Sequence, residues 1–186
     1  MRVHIGTDHA GFEAKNELVE QLRHAGHEVV DHGPFEYDAL DDYPVFCLRA
    51  AEAVAAEPDS LGVVLGGSGN GEQMAANKVK GVRAALAWSE ETARLAREHN
   101  DARVISVGAR MHTLDEVARF VTVFLDTPYS EAERHTNRIQ MLSRYEESGE
   151  LPPLPQGAPA ASGAQIDRGA QGDPGASPPA TASRPA

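Results

Sequence analysis

A parallel β-sheet covered on both faces by helices is the fold that the sequence predicts, on three observations. Short apolar runs alternate with helix-period segments five times over; the runs VVLGG, AALAW and VISVG are apolar without a polar alternate; and each closes on turn-forming residues. Crossover helices make neighbouring strands parallel, and burial on both faces removes the polar alternation of a half-exposed strand. A doubly wound α/β sandwich of five strands follows, with one extra helix at the C-terminal end.

The elements read in order. RVHIGTD (2–8) is the first strand, and the following GFEAKNELVEQLRHAG carries apolar residues at helical spacing, Phe12, Leu18, Val19 and Leu22. The pattern recurs as HEVVDHG and YPVFCLRAAEAVAAE, LGVVLGG and NGEQMAANKV, VRAALAW and SEETARLAREHN, RVISVG and TLDEVARFVTVFL. Thr113 and Glu116 have the spacing of a capping box, and so do Ser130 and Glu133, which predicts a sixth helix opening at Ser130. No strand follows it, which leaves its apolar face for a partner. Residues 1–150 form the expected domain; 151–186, rich in proline, glycine, alanine and serine, have little to bury and read as a disordered tail.

Composition narrows the function. The chain has 186 residues, 41% of them hydrophobic, enough for one core. A net charge of -11 disfavours nucleic acid or an anionic membrane as partner. No apolar run approaches the roughly 20 residues of a spanning helix, and the N-terminus lacks a secretory layout, so a cytoplasmic location is expected. Cys47, the single cysteine, lies in an apolar stretch and reads as a packing residue. His4, inside the first strand, reads as a core residue, and His24, His27, His32, His112 and His135 show no metal-ligand spacing.

The stretch GGSGNGEQMAANK (66–78) follows the third strand, at the sheet's carboxyl rim, where ligands bind in open parallel sheets; the turns DHAG (8–11) and WSEE (88–91) share that rim. A Walker loop needs lysine and a hydroxyl where Glu72 and Gln73 stand, and a carboxylate there repels phosphate. The dinucleotide fingerprint fails as well, since Glu72 replaces its third glycine. Two readings remain: glycines that merely turn the chain, with Glu72 favoured by the helix N-terminus, or loop amides that hold an oxyanion while Glu72 acts as base on the adjacent carbon.

Cationic groups are also placed suggestively. Arg134 and Arg138 share one face of the last helix near its N-terminus, where a cation is locally unfavourable, which suggests either a bound anion or surface pairs with Glu131 and Glu133. Arg110, directly after the fifth strand, suits two-pronged phosphate contact or simple solvation. His99 and Asn100 end a helix, where the dipole favours protonated histidine, as an acid or only as a cap.

Taken together, GTDHAG, GGSGNGEQMAANKVKGVRAAL, REHNDARVISVGAR and ERHTNRIQML, in that order, resemble the type B ribose-5-phosphate isomerases, a branch of the sugar-phosphate isomerases, across roughly residues 1–150. The resemblance implies a Rossmann-like homodimer with active sites at the subunit interface, acting without metal or cofactor on D-ribose 5-phosphate and D-ribulose 5-phosphate in the pentose phosphate pathway. It implies that Asp8, His9 and Asn100 contact substrate, that Gly67, Ser68, Gly69, Asn70 and Gly71 surround the reacting carbons, and that Arg110, Arg134 and Arg138 grip the phosphate. His99 would open the furanose ring, Glu72 would move a proton between C2 and C1, and Ser68 would assist between the two oxygens. Many members carry a cysteine base at the position of Gly66 and threonine at that of Ser68; this chain looks like the branch that uses the glutamate. Isomerisation of six-carbon sugar phosphates, or binding without turnover, are the rival expectations.

Overall fold

The computed structural model describes residues 1–156, of which Met1–Pro152 form one compact unit. Most of the expected tail lies outside the described residues. Five strands, β1 (Arg2–Gly6), β2 (Glu28–Asp31), β3 (Leu61–Gly66), β4 (Ala84–Ala87) and β5 (Val104–Gly108), make one sheet in the order β2-β1-β3-β5-β4, every pair parallel. Among the described residues six helices accompany them, α1 (Phe12–His24), α2 (Tyr43–Ala56), α3 (Asn70–Ala76), α4 (Glu90–Asn100), α5 (Leu114–Asp126) and α6 (Glu133–Ser148), with a 3₁₀ turn at His9–Gly11.

The central strands β3 and β5 are buried at every residue, as uninterrupted apolar runs require. Two apolar clusters result, one on each face. Val3, Ile5, Leu18, Leu22, Val63, Leu65, Ile105, Val121 and Phe124 join α1, α4 and α5 to one face; Cys47, Ala50, Val54, Val64, Ala76 and Val104 join α2 and α3 to the other. Gly6, at the end of β1, lets α2 lie close: a β-carbon there would stand 2.9 Å from the Phe46 carbonyl oxygen. Cys47 is fully buried, and burial pushes its thiol pKa far up, so it packs rather than reacts. His4 is buried too, its Nδ1 3.0 Å from His32 Nε2.

Lys15 was not expected inside. It is 1% exposed, its Nζ 2.6 Å from Asp31 Oδ2 and 2.9 Å from the Pro34 carbonyl oxygen, between the rings of Phe12 and Phe35. A buried ammonium needs such pairing, and here it ties α1 to the start of the loop 32–42.

The capping box at Thr113 and Glu116 forms as the spacing predicts. The one at Ser130 does not. Helix α6 starts at Glu133 with Ala132 at its cap, because the Ser130 hydroxyl is engaged 2.9 Å from His135 Nδ1 and Glu131 takes a left-handed backbone, φ 53°. Helix α6 buries only His135 and leaves Met141 and Leu142 exposed. Among the described residues no helix is long and apolar enough to cross a membrane.

Candidate active site

The strand order changes direction between β1 and β3, and the turns after these two strands lie side by side at the carboxyl rim. The first carries Asp8 and His9, the second the glycine loop. Three contacts hold that loop down on β5. The Ala109 and Arg110 amides donate to the carbonyls of Gly66 and Gly67, and Ser106 Oγ donates to the Gly69 carbonyl at 2.6 Å. Gly69 has φ 82° and no room for a β-carbon, which would meet Leu86 at 2.7 Å, so glycine is required on both counts. Ser68 and Asn70 are exposed beside it, Asn70 Nδ2 donating to Ser68 Oγ at 3.2 Å.

Glu72, in the first turn of α3, points back beneath this loop and is 4% exposed. Its carboxylate lies against Gly66, where any β-carbon would overlap it. Burial raises its pKa and the nearby Asp8 adds to the rise, while hydrogen bonding to the backbone at Glu72 and Gly69 opposes both. A carboxylate so placed is partly desolvated and therefore more basic than an ordinary glutamate, the condition for proton abstraction near neutral pH.

Asp8 is buried and accepts from the Ala10 amide at 2.9 Å. His9 is bound to Asp41, a residue that sequence reasoning missed: Asp41 Oδ1 accepts from the His9 amide at 2.7 Å and lies 2.9 Å from its ring Nδ1. Nothing in the loop sequence distinguishes Asp41 from Asp38 or Asp42; only the fold brings it to His9. Potential ligand atoms of Asp8, His9 and Asp41 lie within 4.8 Å of one another. Of the three, His9 and Asp41 are bonded to each other, while the Asp8 carboxylate accepts from the Ala10 amide. Arg110 is exposed on the same rim, its Cδ 3.7 Å from where a β-carbon on Gly67 would stand.

The remaining predicted residues gather elsewhere. Helix α4 descends from the carboxyl rim, so His99 and Asn100 at its end lie beside the amino ends of β4 and β5; Arg83, just before β4, donates to the Asn100 carbonyl at 2.9 Å. The His99 ring lies 4.2 Å, centroid to centroid, from that of His135. Arg134 Nε donates to His135 Nε2 at 3.1 Å, and Arg138 is exposed one turn further along α6. His135 was also missed, since no metal spacing or motif marked it. It is 3% exposed, and burial, followed by His99, Arg134 and Arg138, lowers its pKa, which favours its neutral form beside the two arginines.

Each chain thus carries two half-constellations. Glu72, Asp8, His9, the glycine loop and Arg110 occupy the carboxyl rim; His99, Asn100, Arg134 and Arg138 occupy the amino end. A strand of five residues spans roughly 16 Å, so one small substrate cannot touch both groups of the same chain. A cleft of about 390 Å³ near Pro58, Arg103 and Thr127 also lies at the amino end. Its arginines are bound to backbone carbonyls and to Asp101.

A parallel sheet with a glycine loop folded over a buried carboxylate, and arginines in a separate group, defines a protein equipped to move a proton on a small anionic substrate. The model of the Ribose/Galactose Isomerase family matches residues 3–142, and the chain belongs to that family. Within it, the chain is 58% identical over 160 residues to ribose-5-phosphate isomerase B of Mycobacterium tuberculosis, covering 86% of this chain and 98% of the relative. It is 39% identical to the galactose-6-phosphate isomerase subunit LacB of Clostridium acetobutylicum over 75% of this chain and 80% of that one. The crystal structure of ribose-5-phosphate isomerase B from Mycoplasma genitalium with bound ribulose-5-phosphate superposes with a TM-score of 0.76 at 42% identity, covering 79% of this chain and 97% of that one.

Proposed function

We propose that the protein is a cytoplasmic aldose-ketose isomerase that interconverts D-ribose 5-phosphate and D-ribulose 5-phosphate, as a homodimer with composite sites. The observation that carries the reading is Glu72, buried under the glycine loop with a raised pKa. In the forward direction His99 gives a proton to the ring oxygen while the C1 hydroxyl passes its proton to a solvent water, so the C1–ring-oxygen bond breaks and the furanose opens to an aldehyde. Glu72 then takes the proton from C2, the charge moves to O1 as an enediolate, and Glu72 returns the proton to C1. Ser68, exposed at the loop tip, assists proton movement between O1 and O2. Asp8, His9 and Asn100 hold the sugar hydroxyls, and the arginines hold the phosphate.

Two features support the dimer. The two half-constellations meet only if one chain's carboxyl rim faces another chain's α4 and α6. Apolar side chains stand ready on α3 and on the turns after β4 and β5, with Met74 62%, Trp88 62% and Met111 66% exposed, as a subunit contact requires. A two-fold dimer would bury them and form two such sites.

Glu72→Gln tests the chemistry. Turnover of ribose 5-phosphate should fall by several orders of magnitude while phosphate binding persists, because only the proton transfer is removed. Near-normal turnover would exclude Glu72 as the base. Allose 6-phosphate, assayed beside it, tests the six-carbon alternative: faster turnover of the hexose phosphate would reassign the substrate.

A further inference from the structure

We propose that Asp41 is a positioning residue for His9: it fixes the ring so that Nδ1–H points into the protein and Nε2–H is offered to an oxygen of the substrate. The proposal rests on the reading that His9 contacts the sugar phosphate.

The geometry is specific. A single oxygen, Asp41 Oδ1, takes both the backbone amide and the ring Nδ1 of His9, which locks main chain and side chain together. The Asp41 side chain is 10% exposed against 24% for His9, so the carboxylate lies behind the imidazole. Among the described residues its second oxygen, Oδ2, is buried without a hydrogen-bond partner, and the bonds that the carboxylate makes through Oδ1 both go to His9. A buried carboxylate with a free lone pair favours a charged partner, and a histidine whose Nδ1–H it accepts must present Nε2 on the other side.

The groups facing His9 act in one direction. Asp41, through its hydrogen bond, is the largest influence, and Asp8 adds to it; both favour the imidazolium over the opposing effect of burial. Tyr37 meets the ring edge-on at 6.5 Å and adds no charge. Both carboxylates thus favour the form of His9 in which Nε2–H donates, suited to an alkoxide or hydroxyl oxygen that gains negative charge as the enediolate forms. Glu72 and His9 then have opposite tasks on one rim, base and donor.

The test uses the full-length enzyme. Asp41→Asn is compared with the wild type by NMR titration of the His9 ring protons, assigned by their loss in His9→Gln, and by KM and kcat for ribose 5-phosphate across pH. The His9 midpoint should fall, and kcat/KM at neutral pH should drop by about tenfold, as expected when a charge-assisted hydrogen bond is lost. In a His9→Ala background the same Asp41→Asn change should cost less than about twofold, because its target is gone. An unchanged His9 midpoint, or an equal loss in both backgrounds, would overturn the proposal and leave Asp41 as a scaffold of its loop. If Asp41→Asn does not fold, Asp41→Ser, which retains a short acceptor for the His9 amide, takes its place. Absence of wild-type turnover would refute the isomerase reading alone, and the titration would still decide whether Asp41 governs His9.

Discussion

The Glu72 carboxylate fills the space that a β-carbon on Gly66 would need. A side chain at position 66 and an inward-pointing carboxylate at 72 therefore exclude one another. The strand end and the helix start compete for one location above the sheet, and in this chain the helix supplies the occupant. That is the physical content of glycine at position 66.

Gly66→Ala should accordingly separate activity from stability. The added methyl displaces only the end of a flexible side chain, so unfolding should change by about 1 kcal/mol, at the low end of overpacking costs. Moving the base by an ångström should lower kcat by about a hundredfold or more. Chemical denaturation and steady-state kinetics check the two halves; full activity would show that Glu72 reaches the substrate from another rotamer.

The raised Glu72 pKa has a consequence for stability whose sign is opposite to that of most carboxylates. Between the unfolded value near 4.5 and the higher folded value, the native state binds the extra proton, so stability falls as pH rises through that window and is lowest above it. Glu72→Gln should therefore melt higher than the wild type at neutral pH, with the difference vanishing below about pH 4. The acid limb of the wild-type kcat profile should lie above the ordinary glutamate range. Equal melting temperatures at pH 7 would mean that the carboxylate is not desolvated.

The alternation of strand and helix was legible because β3 and β5, buried on both faces, leave continuous apolar runs, and because Thr113 and Glu116 signal a helix start locally. The glycine loop and Glu72 were legible for the same local reason. Ser130 misled: its spacing to Glu133 matches a capping box, but His135, five residues on, takes the hydroxyl and the helix starts at Glu133. Asp41 and His135 carry no local signature at all. Each acts through a residue brought near by the fold, Asp41 from 32 positions away in the chain.

His135 links the histidine at the end of α4 to the arginine at the start of α6, and its lowered pKa means that the native state resists its protonation. Its contribution to stability is present above pH 6.5 and is lost as pH falls through the folded value. His135→Gln, which can still accept from Arg134, should reduce the loss of melting temperature between pH 7 and pH 5, while His4 and His32, with lowered pKa values of their own, maintain part of it. His135→Phe keeps a ring against His99 but offers no acceptor, so KM for ribose 5-phosphate should rise roughly tenfold with little change in kcat. An unchanged KM would remove Arg134 from the phosphate grip.

The separation of Glu72 from His99 within one chain makes the composite site directly testable. Glu72→Gln and His99→Gln should each be nearly inactive alone, since every site in either homodimer lacks one of the two groups. When the variants are unfolded together and refolded, half of the dimers formed at random contain one chain of each kind. In such a dimer one site carries both substitutions and the other carries neither, so activity should return to about one quarter of the wild-type level. Sites contained within single chains would give no recovery, because every chain would still hold a defect. A dilution series adds a second check: recovered activity should fall with dissociation of the dimer, whereas a single-chain site would be indifferent to concentration.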